Sequence, residues 1–357
     1  MIQEKEKFQL TNWEIVSVNP IDKNWTWTDY FCFWAINVQS IIGFSLITSL
    51  YILYDLNFFV VLAGSVLAAI LIYFFSNLIG NPSQRHGIPF AVFLRTSAGL
   101  VGAKYLGMFR GLAGLFFFGV QTFFISKSIV YLIRISLFLI DENLMDQEIF
   151  LLFYMGLNII DWTALLFSFM IQYWLFSKGQ YFLKSLINFS GMFVYFGLVL
   201  FLIIIISEYN NDLSSRFWDL IDPNNILIQK NILPLITITG TMFAYFSIVI
   251  LNFGDFSRYA KNESELNKGN LSLILNLILF SMLSLLIVLG ADIILDNNLA
   301  KSEKLLTNPT DIIGKFNNTY LTVIALLFIL VSSLSTNLIA NYIPTQNALL
   351  NFLPKQL

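Results

Sequence analysis

The chain has 357 residues, 57% of them hydrophobic and only 12% charged, with a formal net charge of −2. A soluble surface ordinarily draws on about a quarter charged residues, so this chain must be solvated largely by lipid, and its near-neutral balance gives no footing for nucleic-acid binding. The single cysteine, Cys32, excludes an intrachain disulfide framework, and the single histidine, His86, argues against haem and His-rich metal sites.

The N-terminus is polar and of mixed charge, unlike a cleavable signal peptide. Residues 1–28 are therefore expected to form a cytoplasmic N-terminal segment, with Trp25, Trp27 and Tyr30 as an aromatic belt where the first helix meets the interface. About 20 apolar residues are needed per crossing. Eight stretches qualify, over roughly 29–52, 57–79, 108–136, 149–173, 184–207, 232–252, 271–295 and 319–343. With the N-terminus inside, thirteen Lys and Arg fall on the inner side. Five, namely Arg216, Lys230, Lys301, Lys304 and Lys315, fall on the outer side, and this bias sets the orientation.

Polar residues inside the apolar stretches carry the functional signal, because each unpaired polar group in lipid is costly. The first helix holds Asn37, Gln39, Ser40 and Gly43 near its middle. The segment HGIPFAVFLRTSAGLVGAKYLGMFRG (86–111) reads as a long ordered loop, and the third helix then places Phe117 and Gln121 at i and i+4, an aromatic face beside an amide. Further along that helix, Lys127 is expected to snorkel outward. The sixth stretch opens on TITGTMFAYFS, and Asp255 and Arg258 close its inner end.

In the eighth, Ser332, Ser335 and Thr336 share one face. Their hydroxyls, with carbonyls from a broken first helix, would make a hard-oxygen cage suited to Na⁺. Asn341 faces elsewhere, and its carboxamide offers the donor and acceptor that an HN–C=O edge requires. Interrupted helices at corresponding places in two repeats point to a midplane transport site.

HGIPFAVFLRTSAG, RGLAGLFFFGVQT, NFGDFSRYAK (252–261) and LSTNLIANYIP (334–344) resemble the nucleobase–cation symporter family, whose members include cytosine, uracil, allantoin and hydantoin permeases. NWTWTDYFCFWAI is similar to that family's first-helix entrance. The resemblance covers about residues 19–355. It implies an all-α integral membrane fold of inverted five-helix repeats with discontinuous helices 1 and 6. It also implies a first repeat over 29–207 and a partial second over 232–357, about eight crossings in all.

It further implies cation contacts at the main-chain carbonyls of Ile36 and Gln39 and at Ser332, Ser335 and Thr336, with substrate contacts at Ser40, Phe117, Gln121, Phe246 and Asn341. Phe117 and Phe246 stand where relatives commonly carry tryptophan, and Ser40 where the hydantoin permease carries glutamine. The expected function is import of a nucleobase or related heterocycle by cation symport, with Na⁺ preferred to H⁺ and no cofactor. The expected protein is a monomeric multi-pass cell-membrane carrier and not an enzyme. An amino-acid or osmolyte transporter of the same fold, or an inactive truncated remnant, are the alternatives. Helices 9 and 10 of the second repeat are not in the sequence, so a C-terminally truncated or split chain is expected.

Overall fold

The apolar stretches fold as helices because the hydrocarbon core offers no water to a backbone amide or carbonyl, and a helix closes those bonds within one segment. The computed structural model describes residues 15–52, 58–142, 152–221, 232–294 and 319–352. In chain order its helices are α1 (Trp27–Val38), α2 (Ile41–Ile52), α3 (Phe58–His86), α4 (Phe90–Phe93), α5 (Arg95–Ile140) and α6 (Ile159–Phe176). They continue as α7 (Gln180–Ile221), α8 (Ile232–Leu251), α9 (Gly254–Ser257), α10 (Glu263–Ile294), α11 (Thr319–Asn337) and α12 (Ile343–Phe352). A single π-helical turn, Leu338–Tyr342, joins the last two.

Seven of the described helical spans are long and apolar enough to cross a bilayer, and α1 with α2 makes an eighth, bent by 64° at its break. Each overlaps one of the eight expected crossings, although the third begins at Arg95 and not near 108, and the fourth at Ile159 and not near 149. Of the cations used to orient them, Lys5, Lys7, Lys230, Lys301, Lys304, Lys315 and Lys355 lie outside the described residues.

Packing divides the helices into two groups. α3 lies along α8 and α10, and α1 lies against α10 and α7, around one large apolar core that includes Trp34, Phe246, Phe253 and Phe280. α5 packs with α6, α11 and α12, and a smaller cluster of Ile125, Ile129, Ile160, Ala164 and Leu334 fills part of that group. α7 bridges the two, touching α1, α10 and α11. Side-chain amides tie the first group internally: Trp34 Nε1 donates to Asn270 Oδ1 at 3.0 Å, and Asn270 Nδ2 donates to Asn77 Oδ1 at 2.7 Å.

Four sequence expectations change. The loop over 86–111 is mostly helix: α4 forms directly after Pro89, and α5 begins at Arg95, with a kink at Gly99 (φ 68°) dividing its short inner arm from the crossing. Of the three belt aromatics, Trp25 and Tyr30 are buried and only Trp27 is exposed. Trp25 exchanges backbone bonds with the α9–α10 connector, accepting from Lys261 N–H at 2.9 Å and donating to Tyr259 O at 3.0 Å, while the Tyr30 hydroxyl donates to Phe256 O at 3.1 Å.

Lys127 turns to Asp161 at 3.4 Å and lies 5.0 Å from the Phe123 ring, so an ion pair with the start of α6 holds it. The sixth crossing is interrupted at Asn252–Phe253, beyond its Thr/Gly cluster. α8 runs unbroken through that cluster because Thr237 and Thr239 donate back to Leu233 O and Leu235 O at 2.9 and 2.8 Å.

Close helix approach rests on small residues. A Cβ on Gly269 would stand 2.3 Å from Tyr30 Cβ, at the α1–α10 seam, whereas a Cβ on Gly119 or Gly240 would meet nothing within 4 Å. Gly269→Val should therefore destabilise the protein by about 1–3 kcal/mol through overpacking. Gly119→Ala and Gly240→Ala should be neutral or stabilising by up to about 1 kcal/mol. Thermal melting of the detergent-purified variants checks both, and equal melting of Gly269→Val and wild type would refute the seam.

Candidate functional site

The site starts from a helix end placed inside the membrane. The last carbonyls of any helix lack partners in their own ladder. Ser40 separates α1 from α2 by capping the second of them: its hydroxyl accepts from Gly43 N–H at 2.9 Å, which starts α2 in a new direction. Glycine is needed at 43, since a Cβ there would lie 2.5 Å from Val38 O.

Three of the carbonyls freed at this break are taken by hydroxyls from other helices. Thr336 donates to Ile36 O at 3.1 Å, Ser332 to Gln39 O at 2.7 Å, and Tyr245 to Asn37 O at 3.3 Å. Thr336 and Ser332 come from α11 and Tyr245 from α8, so the break is where both helix groups meet.

Four of the five expected cation residues thus converge: Ile36, Gln39, Ser332 and Thr336. The fifth is placed differently, with Ser335 donating to Val331 O in its own helix at 2.7 Å. The Thr336 hydroxyl also reaches Ser332 O at 3.0 Å. Its proton can move to that acceptor, which turns an oxygen lone pair toward the break and frees Ile36 O. The converging atoms are all neutral oxygens, and no group of three His, Cys, Asp or Glu capable of holding a metal occurs among the described residues. Such a donor set fits a hard monovalent cation.

Of the expected substrate residues, Ser40 lies in the break itself. Ser40 hydrogen-bonds the Tyr245 hydroxyl. Phe246 is fully buried, edge-on to Trp34 with ring centroids 6.4 Å apart. Gln121 is buried with its Oε1 unpaired. Asn341 sits in the π-helical turn, a local widening that often marks functional sites. Its Nδ2 donates to Asn337 Oδ1 at 2.9 Å; Asn337 in turn donates to Gln172 Oε1 at 2.6 Å, and Gln172 to Thr122 Oγ1 at 3.1 Å. This relay joins α11, α6 and α5.

Phe117 lies apart from these residues. It is 41% exposed, and its ring contacts Phe116, with no ring contact to Phe246 among those described. Sequence reasoning missed Gln172 and Tyr245. A glutamine within the apolar run of α6 was the available signal for the first, and a tyrosine within TITGTMFAYFS for the second.

Beneath the site, the α8–α10 connector forms an inner plug. Asp255 is buried there, accepting from Phe90 N–H at 3.0 Å and from Asn252 Nδ2 at 3.3 Å. Arg110 from α5 hydrogen-bonds Asn252 and donates to Ala340 O at 3.0 Å, which ties the plug to the π-helical turn. Arg258 Nε donates to Asp255 O at 3.3 Å, and its guanidinium covers the Tyr259 ring. Burial pushes the Asp255 carboxyl up to about 6, against the opposing pull of Arg258, of the nearby Asn347 amide and of hydrogen bonds from Phe90 and Asn252.

A family profile described as "Permease for cytosine/purines, uracil, thiamine, allantoin" matches residues 18–357. The purine-uracil permease NCS1 of Arabidopsis thaliana is 23% identical, over 97% of this chain and 55% of that protein. The allantoin permease of Bacillus subtilis (strain 168) is 22% identical, over 99% and 69% respectively. The chain therefore spans about half the length of the first relative. Among solved structures, Mhp1, a nucleobase-cation-symport-1 family transporter with bromovinylhydantoin bound in a closed conformation, superposes with a TM-score of 0.71. That match has 13% identity and covers 97% of this chain and 71% of Mhp1, so the two share a fold.

The inner plug generates a pH prediction. Because the Asp255 pKa is raised in the folded state, that state holds more protons than the unfolded chain between about pH 4 and 6. Its contribution to stability therefore grows as pH falls through 6 and is complete below about 4. A two-unit shift corresponds to about 3 kcal/mol at most. Melting should rise between pH 7.5 and 5, and Asp255→Asn should remove most of that rise. An identical pH profile in the variant would show that Asp255 is not responsible.

Proposed function

This chain belongs to the family of permeases for cytosine and purines, uracil, thiamine and allantoin, and from that premise we propose that it is the transport core of a heterocycle importer driven by Na⁺. The observation that carries the reading is the broken first helix, whose Ile36 and Gln39 carbonyls face the Thr336 and Ser332 hydroxyls. A Na⁺ ion there would replace two hydroxyl donors with one charge bound by four oxygens. It would bind more strongly than the hydroxyls do, and it would fix α1 against α11. The absence of a carboxylate among these ligands favours Na⁺ over a proton. Ser335 would complete the shell by releasing Val331 O.

The substrate would bind on the opposite side of the break. Phe246 supplies a flat apolar face. Gln121, with an unpaired buried Oε1, and Asn341 supply donors and acceptors for an HN–C=O edge. Phe117 would have to swing inward from its exposed position to close the second face, a movement suited to an occlusion step. The two helix groups would then rock about the break, as two repeats over 29–207 and 232–357 related by inversion would allow. The N-terminus would be cytoplasmic, and the carrier a monomer in the cell membrane.

Uptake into proteoliposomes tests this reading. Uracil, cytosine, allantoin or hydantoin should accumulate only with an inward Na⁺ gradient, and amino acids should not compete. Asn341→Ala should lower apparent heterocycle affinity at least about tenfold, the loss of one or two buried hydrogen bonds, while the Na⁺ requirement persists. Uptake unaltered by that substitution would refute the substrate assignment.

A further inference from the structure

A primary amide is nearly symmetric in shape, but one end donates and the other accepts. Which end of Asn341 is free for a ligand is therefore decided by its partners, and these trace back to two backbone carbonyls, which can only accept. Gln172 Nε2 donates to Ser168 O and to Thr122 Oγ1, each at 3.1 Å. Thr122 gives its own proton to Phe118 O at 2.7 Å, so its oxygen is left to accept. Both Gln172 protons are then used. Its Oε1 accepts from Asn337 Nδ2 at 2.6 Å.

Asn337 Nδ2 has two further acceptors beside it, Phe118 O and Thr122 Oγ1, each at 3.3 Å. Turning the Asn337 amide over would set its oxygen against Gln172 Oε1 and Phe118 O. Its Oδ1 consequently faces Asn341 and accepts from Asn341 Nδ2 at 2.9 Å. Reversing Asn341 would in turn press two oxygens together. Thr122, Gln172, Asn337 and Asn341 are all buried, where a mispaired amide is costly. Asn341 Oδ1 is the end left over. It makes no hydrogen bond among the described residues, and it is not sealed off.

Resting on the reading that Asn341 meets the cargo, we propose that Gln172 is the positioning residue that sets the polarity of the heterocycle site. Through Asn337 it holds Asn341 Oδ1 toward the cargo as an acceptor. The cargo is then a lactam or ureide ring that donates a ring N–H to that oxygen. Uracil and hydantoin carry such an N–H between two carbonyls. Cytosine has a bare ring nitrogen at the corresponding place and would set a lone pair against Oδ1. Gln172 itself touches no cargo; it acts from α6, with Asn337 of α11 between it and Asn341.

The test is binding of tritiated uracil and tritiated cytosine to the purified full chain in NaCl, with hydantoin as competitor. Wild type should bind uracil, and hydantoin should displace it at comparable concentration. Cytosine should bind at least about tenfold more weakly, as expected for one buried hydrogen bond lost and an acceptor opposed. Gln172→Leu removes the acceptor that directs Asn337 and should narrow the gap between the two rings to about threefold or less. Gln172→Glu still offers Asn337 Nδ2 an acceptor and should keep the wild-type gap. A purely structural role would weaken both rings together and leave the gap unchanged. Cytosine bound as tightly as uracil in wild type would overturn the proposal and leave the heterocycle reading standing. So would an unchanged gap in Gln172→Leu, or a gap lost in Gln172→Glu. Binding of neither ring would overturn the heterocycle reading and this inference with it. If Gln172→Leu fails to fold, the wild-type comparison and Gln172→Glu decide.

Discussion

Everything in this protein is arranged around backbone carbonyls that end inside the membrane. A helix that stops in lipid leaves its last carbonyls unpaired, at several kcal/mol each. α1 stops at Val38, and the groups that answer it come from α11 and α8. Those hydroxyls make the break tolerable, and in the proposed reading the same oxygens would hold a cation when their protons turn away. A break satisfied by α1's own neighbours would be stable but inert. One satisfied by hydroxyls from other helices is also a joint.

That joint lies between two groups of helices. One is built on α1, α3, α8 and α10 with a large aromatic core; the other is built on α5, α6, α11 and α12. α1 and α11 touch at few places, and the Ser332 and Thr336 contacts are among them. In the proposed reading, an ion bound there would act on a thinly contacted seam. The inner plug works by another means: Asp255, Asn252 and Arg110 use buried polar contacts to hold the α8–α10 connector to α4, α5 and the π-helical turn.

The crossings were legible because hydropathy is a property of contiguous sequence, and the family emerged from four short motifs in order. The convergence of Ser332 and Thr336 on the break was legible because they share a helix face, and the break itself because Ser40 is a natural cap. The exceptions were decided by tertiary contact. Trp25 and Tyr30 have interfacial composition, but the segment 253–261 covers them, and nothing local announces that. The Thr/Gly cluster of α8 was expected to interrupt the helix; its threonines bond backward, so the interruption falls later. Gln172 was invisible as a partner of Asn337 because the two are 165 positions apart. Lys127 found Asp161 for the same reason, across a connection no periodicity describes.

The measurement closest to the central claim is ion-specific stabilisation of the purified chain. A ligand that binds only the folded state raises its melting temperature in step with concentration. The account predicts that NaCl raises the melting temperature of wild type in a saturable way while equal KCl does not, and that Thr336→Val combined with Ser332→Ala abolishes the difference. Equal effects of the two salts on wild type, or a Na⁺ response preserved in the double variant, would show that the broken first helix is not a cation site.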